Sequence, residues 1–531
     1  MANVRYPGKE TRLWYLVPSL DIIVLLAAFA LLAALGRRVP PRVHVALAVG
    51  FVLLRLLRVA DGISTRFLRR PFDLYVNLSL LPELPRLMRE TVSTQTLVLG
   101  TFGIVLGLAL VFWLTLLALR RLEVELARPA HVRLLGAVTA ALLVASFVPR
   151  AQADERFTGA FASSGVGRFV AEGAAIREAH RCRERQEQGI AEARARLASM
   201  PTNLSRLRGV DVLLFIVESY GESALEEPAL AWRILPELAT VETELGAAGY
   251  AMASRVLDSP TFGGSSWLAH AAINTGLRAK NQLEYELLML RHPLTLASFF
   301  QGAGHRTVLV QPATKPTRLA QENPDFDKTY FAATFDYRGP SFGWSTLPDQ
   351  YTVDFVDRHE LAVRASDQPR FIEYALISSH APWSRQATLV RDWTSIGNGS
   401  VLGELPIAEH DTSWSRLGEA KEAYLDALVY DLELLRRYLT ERVKDDTLVI
   451  IVGDHQPPGG LTGNSNGYGV PLHVLSRRRA LVEPFLARGY ASGMRPGGPG
   501  PRLGLETFLF SFLRDFSEDL RQTSAVGGHS P

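Results

Sequence analysis

The sequence predicts an α/β fold with a mostly parallel sheet flanked by helices, preceded by an α-helical transmembrane domain. Long apolar runs are concentrated in the first 150 residues, and a helix that spans a bilayer needs about 20 such residues. From Val210 onward, strand-like and helix-like stretches alternate, which is typical of a parallel sheet covered by helices. Two aliphatic runs in this half stop abruptly at acidic residues, which indicates buried strands with polar carboxyl ends.

The first region, residues 1–150, is predicted to cross the membrane about five times. Candidate spans are Leu13–Leu35, Val43–Leu57, Phe72–Met88, Leu97–Leu119 and Val132–Val148, of which the third carries charges and is poor. With five spans and an inside N-terminus, the Arg-rich loops lie inside, as the positive-inside rule requires. The rest of the chain then lies outside the cytoplasm, whereas four spans would place it inside. We therefore expect a multi-pass protein of the cell (inner) membrane with an extracytoplasmic, periplasmic catalytic domain.

Three further regions follow. Residues 151–208 are polar and predict a helical connector, residues 209–516 form the predicted catalytic domain, and residues 517–531 are a predicted loose tail. The triplet that ends at Ala153 has the small-x-small form of a signal peptidase site. The single cysteine, Cys182, excludes an internal disulfide and a Cys-rich zinc site. A net charge of +3 does not indicate nucleic acid as a partner.

The catalytic region contains several clear candidates for regular elements. Strand candidates are Val212–Val217, Thr307–Val310, Phe371–Ile377 and Leu448–Val452. Helix candidates are Ala231–Gly246, Ser266–Thr275, Leu294–Gln301, Ser415–Arg442 and Gly504–Leu513. Their alternation is the basis for the predicted parallel sheet with helices on both faces.

Acidic side chains follow two of these strand candidates. Glu218 comes directly after the first, and Asp454 and His455 come after Gly453 at the end of the last. In an open α/β sheet, ligands bind beyond the carboxyl ends of the strands, so we expect these three side chains on one rim. Carboxylates together with an imidazole suit a divalent cation.

Two more stretches carry polar groups at positions that favour chemistry. Residues 259–270 form a Pro/Gly-rich turn that enters a helix with two adjacent hydroxyls, Ser265 and Ser266. A serine there is either a plain helix cap or a nucleophile, and the residues alone leave both open. The free N–H groups of such a helix start favour a phosphate. His380 follows another strand candidate, which favours a ligand or acid role over a structural one.

Together these pieces resemble the alkaline phosphatase/sulfatase superfamily, and most closely its membrane-anchored lipoteichoic acid synthase and phosphoglycerol transferase type proteins. Four segments stand in the order in which the family carries its motifs. They are Phe215–Tyr220 for the first ligand, Gly263–Trp267 for the nucleophile, Ser379–Trp383 for the phosphate-holding histidine and Gly453–His455 for the second ligand pair. The resemblance covers about Val210 to Val474.

The resemblance implies a role for each matching residue. Glu218, Asp454, His455 and the nucleophile would bind one divalent metal ion, which is Mn or Mg in the synthase branch and Zn in the phosphoethanolamine transferases. Ser266 is preferred to Ser265 as the nucleophile. In the family the nucleophile precedes a Thr-Gly pair by nine or ten residues, and here nine selects Ser266 whereas ten selects Ser265. The catalytic residues would be Ser266 and His380.

Departures from the family narrow the choice. The C/S-x-P-x-R motif of formylglycine sulfatases is absent, and the first strand ends in Glu218-Ser219 where sulfatases carry two acids. Lys315 and Arg318 are candidates for phosphate binding, with ordinary surface charges as the alternative. Trp344 is a candidate substrate platform, with plain packing as the alternative.

The predicted function is therefore a membrane-anchored, metal-dependent phosphotransferase. It would move a phospholipid-derived head group of the phosphoglycerol type, through a phospho-serine, to an extracytoplasmic glycan or lipid acceptor. The alternatives are a sulfatase-like phosphodiester or sulfate ester hydrolase, a phosphoethanolamine transferase and an inactive scaffold. The expected partners are a membrane phospholipid donor and the acceptor, and not nucleic acid.

Overall fold

The chain divides into two compact units, Met1–Arg181 and Cys182–Pro531. The computed structural model describes residues 20–70, 72–74, 94–146, 183–314, 325–342, 347–362, 367–411, 417–463, 465 and 467–518. In these ranges the first unit is helical, and the second contains a mixed sheet with helices on both faces. The predicted fold class is thereby confirmed.

Apolar helices make up the described part of the first unit. They are Leu20–Ala34, Pro41–Leu68, Thr94–Glu125 and Pro129–Ser146. By length and composition, the second and third of them are long and apolar enough to cross a membrane, whereas the other two are shorter. Four of the predicted spans therefore coincide with apolar helices. The remaining candidate span, Phe72–Met88, lies almost wholly outside the described residues.

The second unit is built on an eight-stranded sheet with the order β10-β2-β9-β8-β1-β5-β3-β4. Its strands are β1 Asp211–Val217, β2 Ala251–Asp258, β3 Arg306–Gln311, β4 Lys328–Phe331, β5 Arg370–Leu376, β8 Thr447–Gly453, β9 Gly469–Ser476 and β10 Ala491–Ser492. Strands β8, β1, β5, β3 and β4 run parallel, and β9, β2 and β10 pair antiparallel. Two short strands, β6 Arg385–Gln386 and β7 Ala408–Glu409, form a separate pair.

Helices cover both faces of this sheet. Helices in the described part of this unit include Ser223–Glu226, Pro228–Ala247, Ser266–Thr275, Gln282–Met289, Leu296–Gly302, Asp349–Val356, Leu417–Glu441, Arg479–Ala487 and Thr507–Phe516. Successive side chains of β1 point to opposite faces, so Leu213 and Phe215 enter one hydrophobic core while Val212 and Leu214 enter the other. A strand buried on both sides explains why the sequence of β1 is continuously apolar.

The predicted elements lie within a few residues of the observed ones, and Ser266–Thr275 has the predicted bounds. The sequence did not reveal β2, β4, β9 and β10. One part of the predicted connector, residues 183–198, is helical and belongs to the second unit. Its Ala193 and Leu197 are buried in the core of that unit, because they repeat at helical spacing. Ser517, from the predicted tail, accepts a hydrogen bond from the Leu204 amide at 3.0 Å.

The pairing of β1 with β8 requires a glycine at its end. Val217 of β1 is opposite Gly453 of β8, and a Cβ added at Gly453 would lie 1.8 Å from the carbonyl oxygen of Tyr220. No real Cβ contact is that short, so any side chain at this position must push the turn after β1 away from β8. Glycine here allows the two strand ends to lie side by side.

We expect Gly453→Ala to lower the free energy of unfolding by about 3 kcal/mol or more, because overpacking a rigid backbone contact is costly. The measurement is thermal unfolding of the full chain in detergent. Gly418→Ala is the matched control, because nothing lies within 4 Å of a Cβ at that helical position. Equal unfolding midpoints for the two variants would contradict this account of the β1–β8 contact.

Candidate active site and metal centre

Two adjacent parallel strands bring the predicted metal ligands together. Glu218 and Asp454 lie one residue beyond the paired ends Val217 of β1 and Gly453 of β8, and His455 lies two residues beyond. Each of the three offers a ligand atom, and these atoms all lie within 4.8 Å of one another. All three side chains are buried. The predicted convergence on one rim of the sheet is therefore present in the structure.

Hydrogen bonds aim the ligand atoms of Asp454 and His455. Asp454 Oδ1 accepts the backbone N–H groups of Ser219 at 2.8 Å and His455 at 2.6 Å. Within the described part of the chain, Asp454 Oδ2 is buried and accepts no hydrogen bond. His455 Nδ1 donates to the carbonyl of Gln456 at 2.8 Å, which leaves Nε2 with a lone pair for a metal.

The cluster is compact enough for one ion. His455 Nε2 is 3.2 Å from Glu218 Oε1 and 3.5 Å from Asp454 Oδ2. A buried carboxylate oxygen without a hydrogen-bond donor is costly unless a cation or a proton compensates it. Glu218, Asp454 and His455, together with the nearby Ser266 hydroxyl, supply three oxygens and one nitrogen. This donor set fits Mn, Mg or Zn.

The ionisation of the three groups reflects their mutual contact. Burial by itself raises the pKa of Glu218, but the nearby imidazoles of His380 and His455 lower it well below its usual value. Burial and the neighbouring charge of Glu218 raise the pKa of Asp454 to about 7. Burial lowers the pKa of His455, but the carboxylates of Asp454 and Glu218 outweigh it and raise that pKa to about 9. In the absence of metal, protons therefore compensate part of the negative charge.

The nucleophile turn presents Ser266 to this cluster. Gly263, Gly264 and Ser265 all have positive φ, and Ser265, at 64°, is the strained residue because it carries a side chain. The turn ends in the helix Ser266–Thr275, whose first residue points its hydroxyl at the cluster. Ser266 Oγ donates to Glu218 Oε2 at 3.0 Å and lies 3.2 Å from His455 Nε2.

The two candidate serines differ in their contacts. Ser265 occupies the cap position of the helix but makes no capping hydrogen bond with its side chain. Among the described residues, Ser266 is the serine whose hydroxyl contacts the cluster from this turn. The geometry therefore favours Ser266, as the spacing of the sequence did.

His380 lies on the turn that follows β5. The carboxylate of Asp349 accepts the Ile377 N–H at 2.8 Å and the Ser378 N–H at 2.6 Å, which fixes the first half of this turn. Ser379 Oγ donates to the carbonyl of Glu218 at 2.7 Å and thereby ties the turn to the end of β1. His380 also lines a cleft together with Arg385.

The predicted substrate contacts Lys315, Arg318 and Trp344 lie outside the described residues. Sequence reasoning missed two cations near the site. Arg385 lies in the His380 cleft, and the sequence feature that could have pointed to it is its position five residues after His380. His270 lies four residues after Ser266, and that helical spacing was the signal that could have identified it.

Comparisons with known proteins found one family match and several distant solved structures. The sulfatase family model matches residues 259–479, whereas no curated protein matches significantly. Three solved structures with similar chains are a lipoteichoic acid synthase (LtaP) from Listeria monocytogenes, a phosphoglycerol transferase (GacH) from Streptococcus pyogenes, solved with sn-glycerol-1-phosphate, and a lipooligosaccharide phosphoethanolamine transferase (EptA) from Neisseria meningitidis.

These structures are distant from the chain. Sequence identities are 15%, 13% and 13%, and TM-scores are 0.34, 0.35 and 0.44, respectively. The matches cover 50%, 63% and 96% of this chain, and 65%, 92% and 90% of the other chains. The first structure is thus matched over less than two thirds of its length.

The matched family segment contains much of the site described above. Ser266, His380, Asp454 and His455 all lie within residues 259–479, and Glu218 lies on the adjacent strand end. Residues 259–479 of the second unit thus match the sulfatase family model, in agreement with the alkaline phosphatase/sulfatase superfamily enzyme that the motifs predict.

Proposed function

We propose that the chain is a membrane-anchored, metal-dependent phosphotransferase. It moves a phospholipid-derived head group of the phosphoglycerol type, through a phospho-serine, to an extracytoplasmic glycan or lipid acceptor. The observation that carries the proposal is the contact of Ser266 Oγ with both Glu218 and His455, at 3.0 and 3.2 Å. A serine hydroxyl at the first residue of a helix, against a metal-ligand cluster, is arranged as an activated nucleophile.

Glu218, Ser266, Asp454 and His455 would hold the metal ion, with Mn or Mg favoured and Zn possible. When bound, such an ion lowers the pKa of a coordinated hydroxyl and offsets charge on a phosphoryl oxygen. The unpartnered Asp454 Oδ2 and the His455 Nε2 lone pair are the ligand atoms that support this assignment.

The side chains of the chain account for both halves of the transfer. Ser266 Oγ, oriented by its contacts with Glu218 and His455, attacks the phosphorus of the donor and forms a new O–P bond, and its proton is released to water. The P–O bond to diacylglycerol breaks, and His380 supplies a proton to the leaving oxygen. In the second half, the acceptor hydroxyl loses its proton to His380 and attacks the phospho-serine, and Ser266 takes up a proton from water as its bond to phosphorus breaks.

Nearby groups are suited to bind the phosphate. The free N–H groups in the first turn of the helix Ser266–Thr275 attract an anion. Arg385 shares the His380 cleft, and Lys315, Arg318 and Trp344 remain the proposed further substrate contacts. The apolar helices Pro41–Leu68 and Thr94–Glu125 support a location in the cell membrane, where a lipid donor is at hand. We place the second unit on the extracytoplasmic side.

The sulfatase family match also favours a second candidate, a hydrolase of phosphodiesters or sulfate esters. Such an enzyme would use the same serine and metal ligands with water as the acceptor. The side chains at the ends of β1 and β8 would serve both reactions equally well. Transfer and hydrolysis are therefore distinguished by their reaction products.

We expect Ser266→Ala to abolish a covalent phospho-enzyme, because the attacking oxygen is removed, while Ser265→Ala keeps it. The measurement is mass spectrometry of the full chain in detergent after incubation with phosphatidylglycerol and Mn²⁺. Ser265→Ala is the matched control, because it removes the adjacent hydroxyl. A phosphorylated peptide that persists in Ser266→Ala would remove Ser266 from the proposed role.

Product analysis separates transfer from hydrolysis. With phosphatidylglycerol labelled in its head group and a glycan acceptor present, we expect the label on the glycan and unlabelled diacylglycerol. Free glycerol phosphate without a glycan adduct would identify the hydrolase. Turnover of an aryl sulfate at a rate above that of the phospholipid would identify a sulfate ester as the substrate.

We expect the affinity for Mn²⁺ to fall as the pH is lowered from 9 to 6, because protons on Asp454 and His455 compete with the metal. The pKa values of about 7 and about 9 place both protonations in this window. Each displaced proton changes the affinity by about tenfold per pH unit. Isothermal titration calorimetry at several pH values measures this slope, and an affinity independent of pH would show that the ion binds elsewhere.

A further inference from the structure

A third histidine lies on the nucleophile helix and outside every motif used above. His270 follows Ser266 by four residues, so the two side chains share one face of the helix with Cβ atoms about 5–6 Å apart. Its Nδ1 lies 3.5 Å from Oε1 of Glu373 on β5. Its other nitrogen, Nε2, has no hydrogen-bond partner among the described residues.

Glu373 favours a positive charge on this histidine. Its side chain is 3% exposed and lies on the sheet face that packs against the nucleophile helix. Asn274, four residues after His270, donates to both carboxylate oxygens at 3.0 and 2.9 Å but is neutral. A buried carboxylate needs a cation or a proton, and in the described part of the chain His270 is the basic side chain that contacts it.

The surroundings of His270 agree with a positive ring. Burial lowers the pKa of His270, but the hydrogen bond and charge of Glu373 and the more distant charges of Asp454 and Glu218 outweigh it, so the net direction is upward. These are the charged groups that act on the ring from β5, β8 and β1. Glu373 and the acids of the metal-ligand cluster therefore all favour the positive form of the ring.

We propose that His270 is a second imidazole of the transfer site, which binds the phosphodiester of the donor beside Ser266. This inference rests on the proposed function and deepens it. Residues four apart share one face of a helix, so the His270 ring lies on the same side of this helix as the Ser266 hydroxyl that would carry the phosphoryl group. Glu373 and Asn274 then act as positioning residues, because they hold the ring and the helix but do not reach the phosphate.

A binding role for His270 predicts opposite effects on the affinities for phosphate and for metal, and a purely structural role does not. A cation near the cluster attracts an anionic phosphate and repels a divalent metal. Removing the charge must therefore weaken phosphate binding while leaving metal binding equal or tighter. A variant that merely disturbs the nucleophile helix would weaken both, since Ser266 belongs to both sites.

The test uses the full chain in detergent with His270→Gln, which keeps a hydrogen-bonding side chain without the charge. Calorimetry gives the Kd for Mn²⁺ and, in saturating Mn²⁺, the Kd for inorganic phosphate. We expect the phosphate Kd to rise about tenfold, as for one lost and partly shielded charge, and the Mn²⁺ Kd to stay equal or fall. Glu373→Gln, which removes the counterion, is expected to change both constants in the same directions.

His359→Gln is the matched control, because this histidine is exposed and its ring contacts a carbonyl of its own helix. An unchanged phosphate Kd in His270→Gln, or a loss of both affinities, would overturn the proposal. The failure of the proposed function looks different. In that case the wild-type chain forms no phospho-serine, and this result does not depend on His270.

Discussion

The parallel pairing of β1 with β8 is the interaction on which the site depends. In this register Val217 lies opposite Gly453, so the residues that follow both strands enter the same space. Because Gly453 has no side chain, the turn after β1 can pass directly over the end of β8. Backbone hydrogen bonds across the pair thus place acids from distant parts of the chain within one coordination sphere.

Hydroxyl groups from other elements hold these turns in place. Ser379 Oγ donates to the carbonyl of Glu218, Tyr424 donates to that of Ser219 at 2.9 Å, and Ser259 Oγ donates to that of Asp454 at 2.5 Å. Each bond satisfies a buried carbonyl beyond the last ladder bond of the strand, where an unpaired group would be costly. The ligands are therefore supported by the nucleophile turn, the His380 turn and the helix Leu417–Glu441.

The sequence predicted the parts of the fold whose signal is local. The sequences of β1 and β8 are continuously apolar, so the residues at which these strands end could be located from the sequence. The start of the helix Ser266–Thr275 could be located because it follows a turn rich in glycine. Strand β9 was missed because Pro471 and His473 interrupt its apolar pattern, although both are accommodated within the sheet. His270 was missed because its partner Glu373 is about a hundred residues away, and only the three-dimensional structure brings the two together.

The central claim is that one divalent ion joins the ends of β1 and β8 to the nucleophile. Anomalous diffraction from crystals grown with Mn²⁺ tests it most directly. The account predicts one strong peak at coordination distance from Glu218, Ser266, Asp454 and His455, with Asp454 Oδ2 and His455 Nε2 as ligand atoms. A fully folded protein with no peak at this cluster, or with the ion held by other residues, would contradict the account.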